Sequence, residues 1–376
     1  MRRNYNRWTI SVSNTVSALL PRSTRTRGLF SADDYAQMRA FFTARPQLLP
    51  TPTTALPSLA RDLGLGGVWA KDESARFGLN AFKLLGARFA IETLLAEGAL
   101  RSSDTVVCAS EGNHGRAVAR AAHDAGCAAR VYMAADAAQA RVDAIAGEGA
   151  DVIRVQGSYD DAVRILQEDA AANGWTVISD TAWPGYERIP FLIMLGYTRM
   201  MDEADQVATF DAVFVQGGVG GLLCAVASWC AFHRPTCAVI GVEPTEAACL
   251  QASARAGQPV AVEGPLTTTL AGLRNREVSP LAFNSLLPNV DAFMAIDDSW
   301  AHSAMRALGK PIAGDPAITG GASGSAALGG LLALCRDRSM RATRRALGLD
   351  HDANVLVIVS EGATDPALWS AVVQLP

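Results

Sequence analysis

The residues TVVCASEGNHGR, Thr105 to Arg116, carry the repeating unit of the architecture. Thr105–Ala109 is a short apolar strand, Ser110–Gly115 a loop carrying two glycines, and Arg116–Ala125 an alanine-rich helix. An apolar strand that feeds through a glycine-bearing loop into a helix is the unit from which parallel α/β layers are built.

The same unit recurs on either side. Downstream, Ala129–Met133 precedes a helix over Ala137–Ala146, Asp151–Val155 precedes a helix over Asp160–Ala172, and Thr176–Ile178 ends at Ser179-Asp180. A helix over Ile189–Ala204 leads to a second series: strand Ala212–Val215, loop Gln216–Gly221, helix Leu222–Cys230 and strand Ala238–Val242. Val355–Val359 is the last strand. Upstream, Val68–Ala70 is a strand, Gly86–Glu97 an apolar helix, and Ala32–Thr43 a helix capped by Ser31 with Tyr35, Met38 and Phe41/Phe42 at helical spacing. The predicted class is α/β, with two open twisted sheets flanked by helices. The predicted organisation is an arm and helix over 1–50, a large domain over 51–90 and 205–376, and a smaller inserted α/β domain over 91–204.

Ligands of open α/β sheets sit beyond the carboxyl ends of the strands. The unusual loops all fall there: Ser110–Gly115, Ser179–Tyr186, Gln216–Gly221 and Ser360–Asp365. In Gln216-Gly217-Gly218-Val219-Gly220-Gly221, four glycines expose backbone N–H groups where a helix begins, a geometry that holds a phosphate. No Lys-Ser/Thr follows, as a nucleotide-triphosphate loop would need, and the dinucleotide spacing is absent, so a monophosphate fits better. A packing turn would use the same glycines. The Ser110–Gly115 loop offers N–H groups and the Ser110 hydroxyl to a carboxylate, and Asn113 can orient an aromatic hydroxyl.

Only three lysines occur in 376 residues, Lys71, Lys83 and Lys310. A lysine amine can lose its proton and attack a carbonyl, which arginine cannot. Phe77, Leu79, Ala81 and Phe82 make the approach to Lys83 apolar, and desolvation there is expected to lower its pKa. A surface lysine opening a helix is the plainer alternative.

Composition narrows the classes. Apolar residues make up 49% and charged residues 19%, enough for a sizeable core, and the net charge of -4 argues against nucleic acid as partner. The seven cysteines are odd in number and scattered without CxxC spacing, which reads as free thiols in a reducing cytosol. The five histidines never pair with Cys or Asp at ligand spacing, so no metal site is expected. The first 32 residues lack Asp and Glu but carry Arg2, Arg3, Arg7, Arg22, Arg25 and Arg27, a composition shared by transit peptides and by arms that lie across a protein or its partner. The apolar run at Val16–Leu20 is too short for a membrane span.

The segments FGLNAFK (77–83), SEGNHGR (110–116), DTAWPGY (180–186), QGGVGG (216–221) and SEGATD (360–365) resemble the fold-type-II pyridoxal-phosphate enzymes of tryptophan-synthase-β-like fold. They are most similar to the diaminopropionate ammonia-lyases, from about Thr51 to the C-terminus. The resemblance implies pyridoxal 5'-phosphate as cofactor, with Lys83 as its Schiff-base lysine. It further implies that Asn113 meets the ring hydroxyl, that Gly217, Gly218, Val219, Gly220 and Gly221 hold the phosphate, and that Ser360 faces the pyridine nitrogen. Asp180 and Glu111 would be the two acid–base groups, Asp180 for the L-isomer and Glu111 for the D-isomer, with Ser110, Gly112 and His114 on the substrate side. Asp180 could equally cap the turn that follows it. The implied reaction removes both amino groups of 2,3-diaminopropionate to give pyruvate and ammonia, in a cytoplasmic homodimer. A serine/threonine or hydroxyaspartate dehydratase of the same fold is the alternative, followed by a β-replacing synthase and by a pyridoxal-phosphate-binding protein without turnover. Three departures bear on the substrate: Glu111 stands where the family has Asp, Gly320-Gly321-Ala322-Ser323-Gly324 lacks the family's glutamate, and Arg274 and Arg276 stand where small residues are expected.

Overall fold

The computed structural model describes residues 16–19, 26–110 and 112–374. Its strands are β1 (Val16–Leu19), β2 (Thr53–Ala55), β3 (Gly67–Asp72), β4 (Thr105–Ala109), β5 (Ala128–Ala134), β6 (Asp151–Val155), β7 (Thr176–Val177), β8 (Ala212–Gln216), β9 (Ala238–Pro244), β10 (Ala292–Ile296) and β11 (Asn354–Val359). They form two sheets, one ordered β1-β10-β9-β8-β11-β3-β2 and the other β6-β5-β4-β7. All pairings are parallel except those of the edge strands β1 and β2, which run antiparallel to β10 and β3.

The central strands of the large sheet are apolar throughout because both faces are covered. Val213, Val215, Val239, Phe293, Leu356 and Ile358 point to one core, which includes Leu222 and Leu223 of the helix Gly221–His233. Their neighbours Phe214, Ile240, Val242, Met294, Val355 and Val357 point to the opposite core, with Leu328, Leu331 and Leu332 of the helix Ala326–Arg336. The first core continues toward the small sheet through Phe89, Ile91 and Leu94 of the helix Leu84–Ala96, and Val106, Cys108, Val131 and Met133 of that sheet belong to the same core. The far face of the small sheet, Val107, Tyr132 and Val155, is covered by Ala162, Leu166 and Ala170 of the helix Tyr159–Asn173.

Chain order runs β8, β9, β10 toward one edge, while β11 returns between β8 and β3. The β8/β11 junction is therefore a switch point, where the loops leaving adjacent strands diverge and open a crevice. The loop after β8 is Gly217–Gly220, and the residue after β11 is Ser360.

The helices Pro57–Leu63, Cys249–Ala256, Pro280–Asn289, Asp298–Gly309, Ala326–Arg336, Arg341–Ala346 and Pro366–Gln374 and the edge strands β1 and β2 are absent from the sequence reading, and two further elements differ from it. The single helix over Ile189–Ala204 is two helices, Arg188–Tyr197 and Arg199–Asp205, divided at Thr198. The Thr198 hydroxyl donates to the Leu195 carbonyl at 2.6 Å, the local side-chain bond that makes threonine a poor continuing residue. The strand β10 was not foreseen, because its residues extend the apolar run from Leu286 with only Asn289 and Asp291 to interrupt it. Of the Arg-rich arm, residues 1–15 and 20–25 lie outside the described residues. The intervening β1 adds an edge to the large sheet.

Candidate active site

A buried set of charges fixes the loop that carries Lys83. Lys71 on β3 donates to the Thr51 carbonyl at 2.6 Å, the Thr51 hydroxyl at 2.7 Å and Glu203 at 2.7 Å. Arg76 donates to Glu73 at 2.6 Å and to Glu203 at 2.6 Å. Lys71, Glu73 and Arg76 are fully buried, so one member of the scarce lysine set serves structure and not chemistry. From this anchor the chain turns through Phe77 and Asn80 with φ of 51° and 58°. It is then stitched to the segment after β11. Phe82 N–H donates to the Ser360 carbonyl at 3.1 Å, and Gly362 N–H to the Asn80 carbonyl at 2.9 Å. Lys83 emerges at the start of the helix Leu84–Ala96, beside Ser360.

The Lys83 ammonium is ion-paired with Asp180, and the two side chains keep 22% and 19% exposure, enough to be reached from the crevice. Burial opposes the charge on Lys83, but the Asp180 carboxylate and the Tyr197 hydroxyl outweigh it, and Lys83 ionises above the ordinary lysine range. This reverses the sequence expectation of a lowered pKa: the apolar approach is present, but the carboxylate that meets it comes from a distant loop. Burial likewise works against ionised Asp180, and the Lys83 ammonium overcomes it, holding the carboxyl well below its usual range. Lys83 also lies 5.7 Å from the centre of the Tyr197 ring. The Tyr197 hydroxyl is buried close enough to act on the ammonium, yet makes no hydrogen bond of ordinary geometry.

His114 lies against the same carboxylate, with Nδ1 3.9 Å from Asp180. Its Nε2 is 2.9 Å from the Ile178 carbonyl, which can only accept, so the proton sits on Nε2 and Nδ1 presents a bare lone pair. Burial lowers its pKa, in keeping with that neutral form. His114 belongs to the first turn of the helix Asn113–Asp124, which starts earlier than the sequence reading placed it. Asn113 opens that helix and donates to Glu361 at 2.5 Å. Glu361 is buried, and burial pushes its carboxyl up despite hydrogen bonds from Asn113, Ser323 and Gly324. Ser110 accepts from Gly112 N–H at 3.3 Å. Glu111 lies outside the described residues.

Gly220 has φ of 99°, and a Cβ on Gly217 or Gly218 would come within 2.2 Å of Leu250 or 2.5 Å of Asn275. Glycine is thus required both for conformation and for space. The loop's carbonyls face away from the crevice, where Val219 accepts from Ser279 N–H at 2.8 Å and Gly218 from the Cys249 thiol at 3.5 Å. Gly217 N–H is spent on the Val242 carbonyl at 2.8 Å, so contrary to expectation it is not a phosphate donor, while among the described residues the N–H groups of Gly218, Val219, Gly220 and Gly221 have no acceptor. Four free donors at the start of a 13-residue helix make an anion cup. Ser279 also ties this loop to the Asp180 loop, since its hydroxyl accepts from Ala182 N–H at 3.0 Å. A Cβ on Gly221 would lie 3.9 Å from the Asp180 carbonyl.

Lys83, Asp180, His114, Ser360 and the glycine loop therefore converge on one crevice. Sequence reasoning missed Tyr197, Gln216 and Glu361. Glu361 lies inside the quoted SEGATD segment, and its neighbours Gly321 and Gly324 give the signal in retrospect: a Cβ on either would strike the backbone of 361–362 at 2.1 Å. Arg274 and Arg276 are exposed, and Arg276 reaches the Val262 carbonyl at 3.3 Å.

Residues 44–361 match the family model described as pyridoxal-phosphate dependent enzyme. The chain is 38% identical over 370 residues to the diaminopropionate ammonia-lyase of Escherichia coli strain K12, covering 93% of each sequence. It is 32% identical over 220 residues to the L-threo-3-hydroxyaspartate ammonia-lyase of Saccharomyces cerevisiae, covering 58% of this chain and 64% of that protein. The solved structure of the Escherichia coli diaminopropionate ammonia-lyase with an aminoacrylate-PLP azomethine intermediate superposes with a TM-score of 0.86 at 36% identity, covering 96% of this chain and 98% of that one.

Proposed function

The chain belongs to the pyridoxal-phosphate dependent enzymes, and from that membership we propose that it is an ammonia-lyase acting on 2,3-diaminopropionate. One observation carries the reading: the Lys83 amine and Asp180 carboxylate meet beside a cup of four free N–H groups. That donor set suits a phosphate monoester bearing an aldehyde, since the cup matches a dianion and Lys83 is the one amine in the crevice.

Gly218, Val219, Gly220 and Gly221 would hold the phosphate, Lys83 the aldehyde carbon, and Ser360 the ring nitrogen. When bound, the cofactor supplies the electron sink that makes the α-hydrogen of an amino acid acidic. The protein's part is proton handling. Asp180 is held ionised and can accept a proton at its carboxylate, while Lys83 holds one that it can deliver to a departing amine. The neutral His114 keeps its bare Nδ1 toward Asp180, so a proton arriving on the carboxylate has a hydrogen-bond partner there. Converting diaminopropionate and one water to pyruvate releases both nitrogens as ammonia, which balances atoms and charge.

The yeast relative supports a second reading, in which a hydroxyl leaves in place of the β-amino group. Pyruvate and ammonia measured together from diaminopropionate, serine, threonine and hydroxyaspartate separate the two. The lyase releases two ammonia molecules per pyruvate from diaminopropionate and turns over the hydroxy acids poorly. Preferential turnover of a hydroxy amino acid, with one ammonia per oxo acid, overturns it. We place the enzyme in the cytoplasm as a homodimer, a reading supported by the sequence resemblance and by seven free cysteines, six of them buried. Sedimentation of the holoenzyme tests the dimer.

A further inference from the structure

Gln216, the last residue of β8, has no part in the scheme above, yet it is 2% exposed and turned into the crevice wall. Its Nε2 donates to the Gly324 carbonyl at 3.3 Å and also to the Ser360 hydroxyl oxygen. The carbonyl fixes the orientation of the amide. A carbonyl can only accept, so reversing the side chain would set Oε1 against it and lose that bond. With both N–H groups placed, one of them must point at Ser360, and the hydroxyl oxygen must receive it.

A hydroxyl has a single hydrogen. Since the Ser360 oxygen accepts from Gln216, its own hydrogen is left for another partner, and among the described residues none takes it. Ser360 is 4% exposed, and its backbone carbonyl is tied to Phe82, next to Lys83. Accepting one hydrogen bond also makes a hydroxyl a better donor.

We infer that Gln216 is a positioning residue that commits the Ser360 hydroxyl to donating, so that the site receives the cofactor with its ring nitrogen unprotonated. This rests on the proposed reading that Ser360 meets that nitrogen. A serine free to turn would serve a protonated nitrogen as acceptor or a bare one as donor. Held by Gln216, it favours the bare nitrogen.

The test is nitrogen NMR of holoenzyme reconstituted with pyridoxal phosphate labelled with 15N in the ring, titrated with pH. In Gln216→Met, which matches the side chain in length and removes the donors, the ring nitrogen should take its proton about one pH unit higher, the scale of one neutral hydrogen bond. Ser360→Ala should shift the titration upward as well. If Ser360→Ala moves it and Gln216→Met does not, the role given to Gln216 is wrong. If neither moves it, the reading that Ser360 meets the ring is wrong. A merely structural Gln216 would lower the melting temperature of the variant and leave the titration in place. Should Gln216→Met fail to hold the cofactor, Gln216→Asn withdraws the amide by one methylene. The same upward shift there supports the inference, and its absence overturns it.

Discussion

Asp180 is the residue on which the chemistry turns, because the ion pair with Lys83 keeps it ionised while leaving it reachable. Asp180→Asn should lower turnover of L-diaminopropionate by about 10² to 10⁴, the usual cost of removing a general base. The bound cofactor should keep its colour, since Lys83 remains. Near-normal L-activity in this variant would make Lys83 the base and return Asp180 to a cap. Glu111→Gln should spare the L-isomer, because the resemblance gives that acid to the D-isomer, and pyruvate release from both enantiomers reads the two variants together. The pair also sets pH limits on stability. Asp180 ionises below its unfolded value, so its contribution is complete above about pH 4 and is lost as pH falls further. Lys83 ionises above its unfolded value, so its contribution is complete below about pH 10 and is lost as pH rises beyond that. Sequence made the chemical type of Lys83 and Asp180 legible. Their mutual effect was not, because 97 residues separate them and only the fold brings one charge to the other.

Among the elements, the β8–glycine loop–helix unit was the most legible, since its glycines are demanded by backbone geometry and a neighbour's side chain cannot substitute for them. Gly220→Asp puts a side chain on a residue with φ of 99°, and its Cβ would press within 3.0 Å of Leu286 and 3.2 Å of Leu250 behind the phosphate cup. Cofactor affinity should fall by at least about two orders of magnitude, because the strained loop no longer holds its N–H groups in place, while the circular dichroism of the protein is retained. Unchanged affinity would reduce Gln216–Gly221 to a packing turn. Behind the same loop, Glu243, the last residue but one of β9, accepts from Leu250 and Gln251 N–H at 2.7 and 2.8 Å. Burial pushes its carboxyl up to about 8. A raised acid binds its proton more tightly folded than unfolded, so stability from this group falls as pH climbs from about 4.3 toward about 8, by at most about 1.4 kcal/mol per pH unit. Thermal unfolding of Glu243→Gln across that range should show a shallower fall. An identical slope would mean that Glu243 stays ionised throughout. Nothing local in the sequence marks this acid, since its burial comes from strands on both sides of it.

On the scale of the whole molecule, the two sheets share one core through the helix Leu84–Ala96, and the buried charges around Lys71 tie the helix Arg199–Asp205 to β3. The alternation of strand and helix made the parallel architecture legible. The charge cluster was not, since Thr51, Lys71, Arg76 and Glu203 are scattered over the chain. Lys71→Met leaves Glu203 and Glu73 short of a partner in a buried setting and should cost about 3–5 kcal/mol by urea unfolding of the apoprotein. A loss under about 1 kcal/mol would show that the cluster adds little beyond the packing it replaces.

The three lysines now stand in distinct places: Lys71 sealed within that cluster, Lys310 at the exposed end of the helix Asp298–Gly309, and Lys83 in the crevice. Borohydride reduction of the yellow holoenzyme followed by peptide mapping distinguishes them directly. The pyridoxyl group should be found on Lys83, in the peptide containing FGLNAFK, and on no other lysine. Label on Lys71 or Lys310, or a protein that binds no cofactor, would contradict the account.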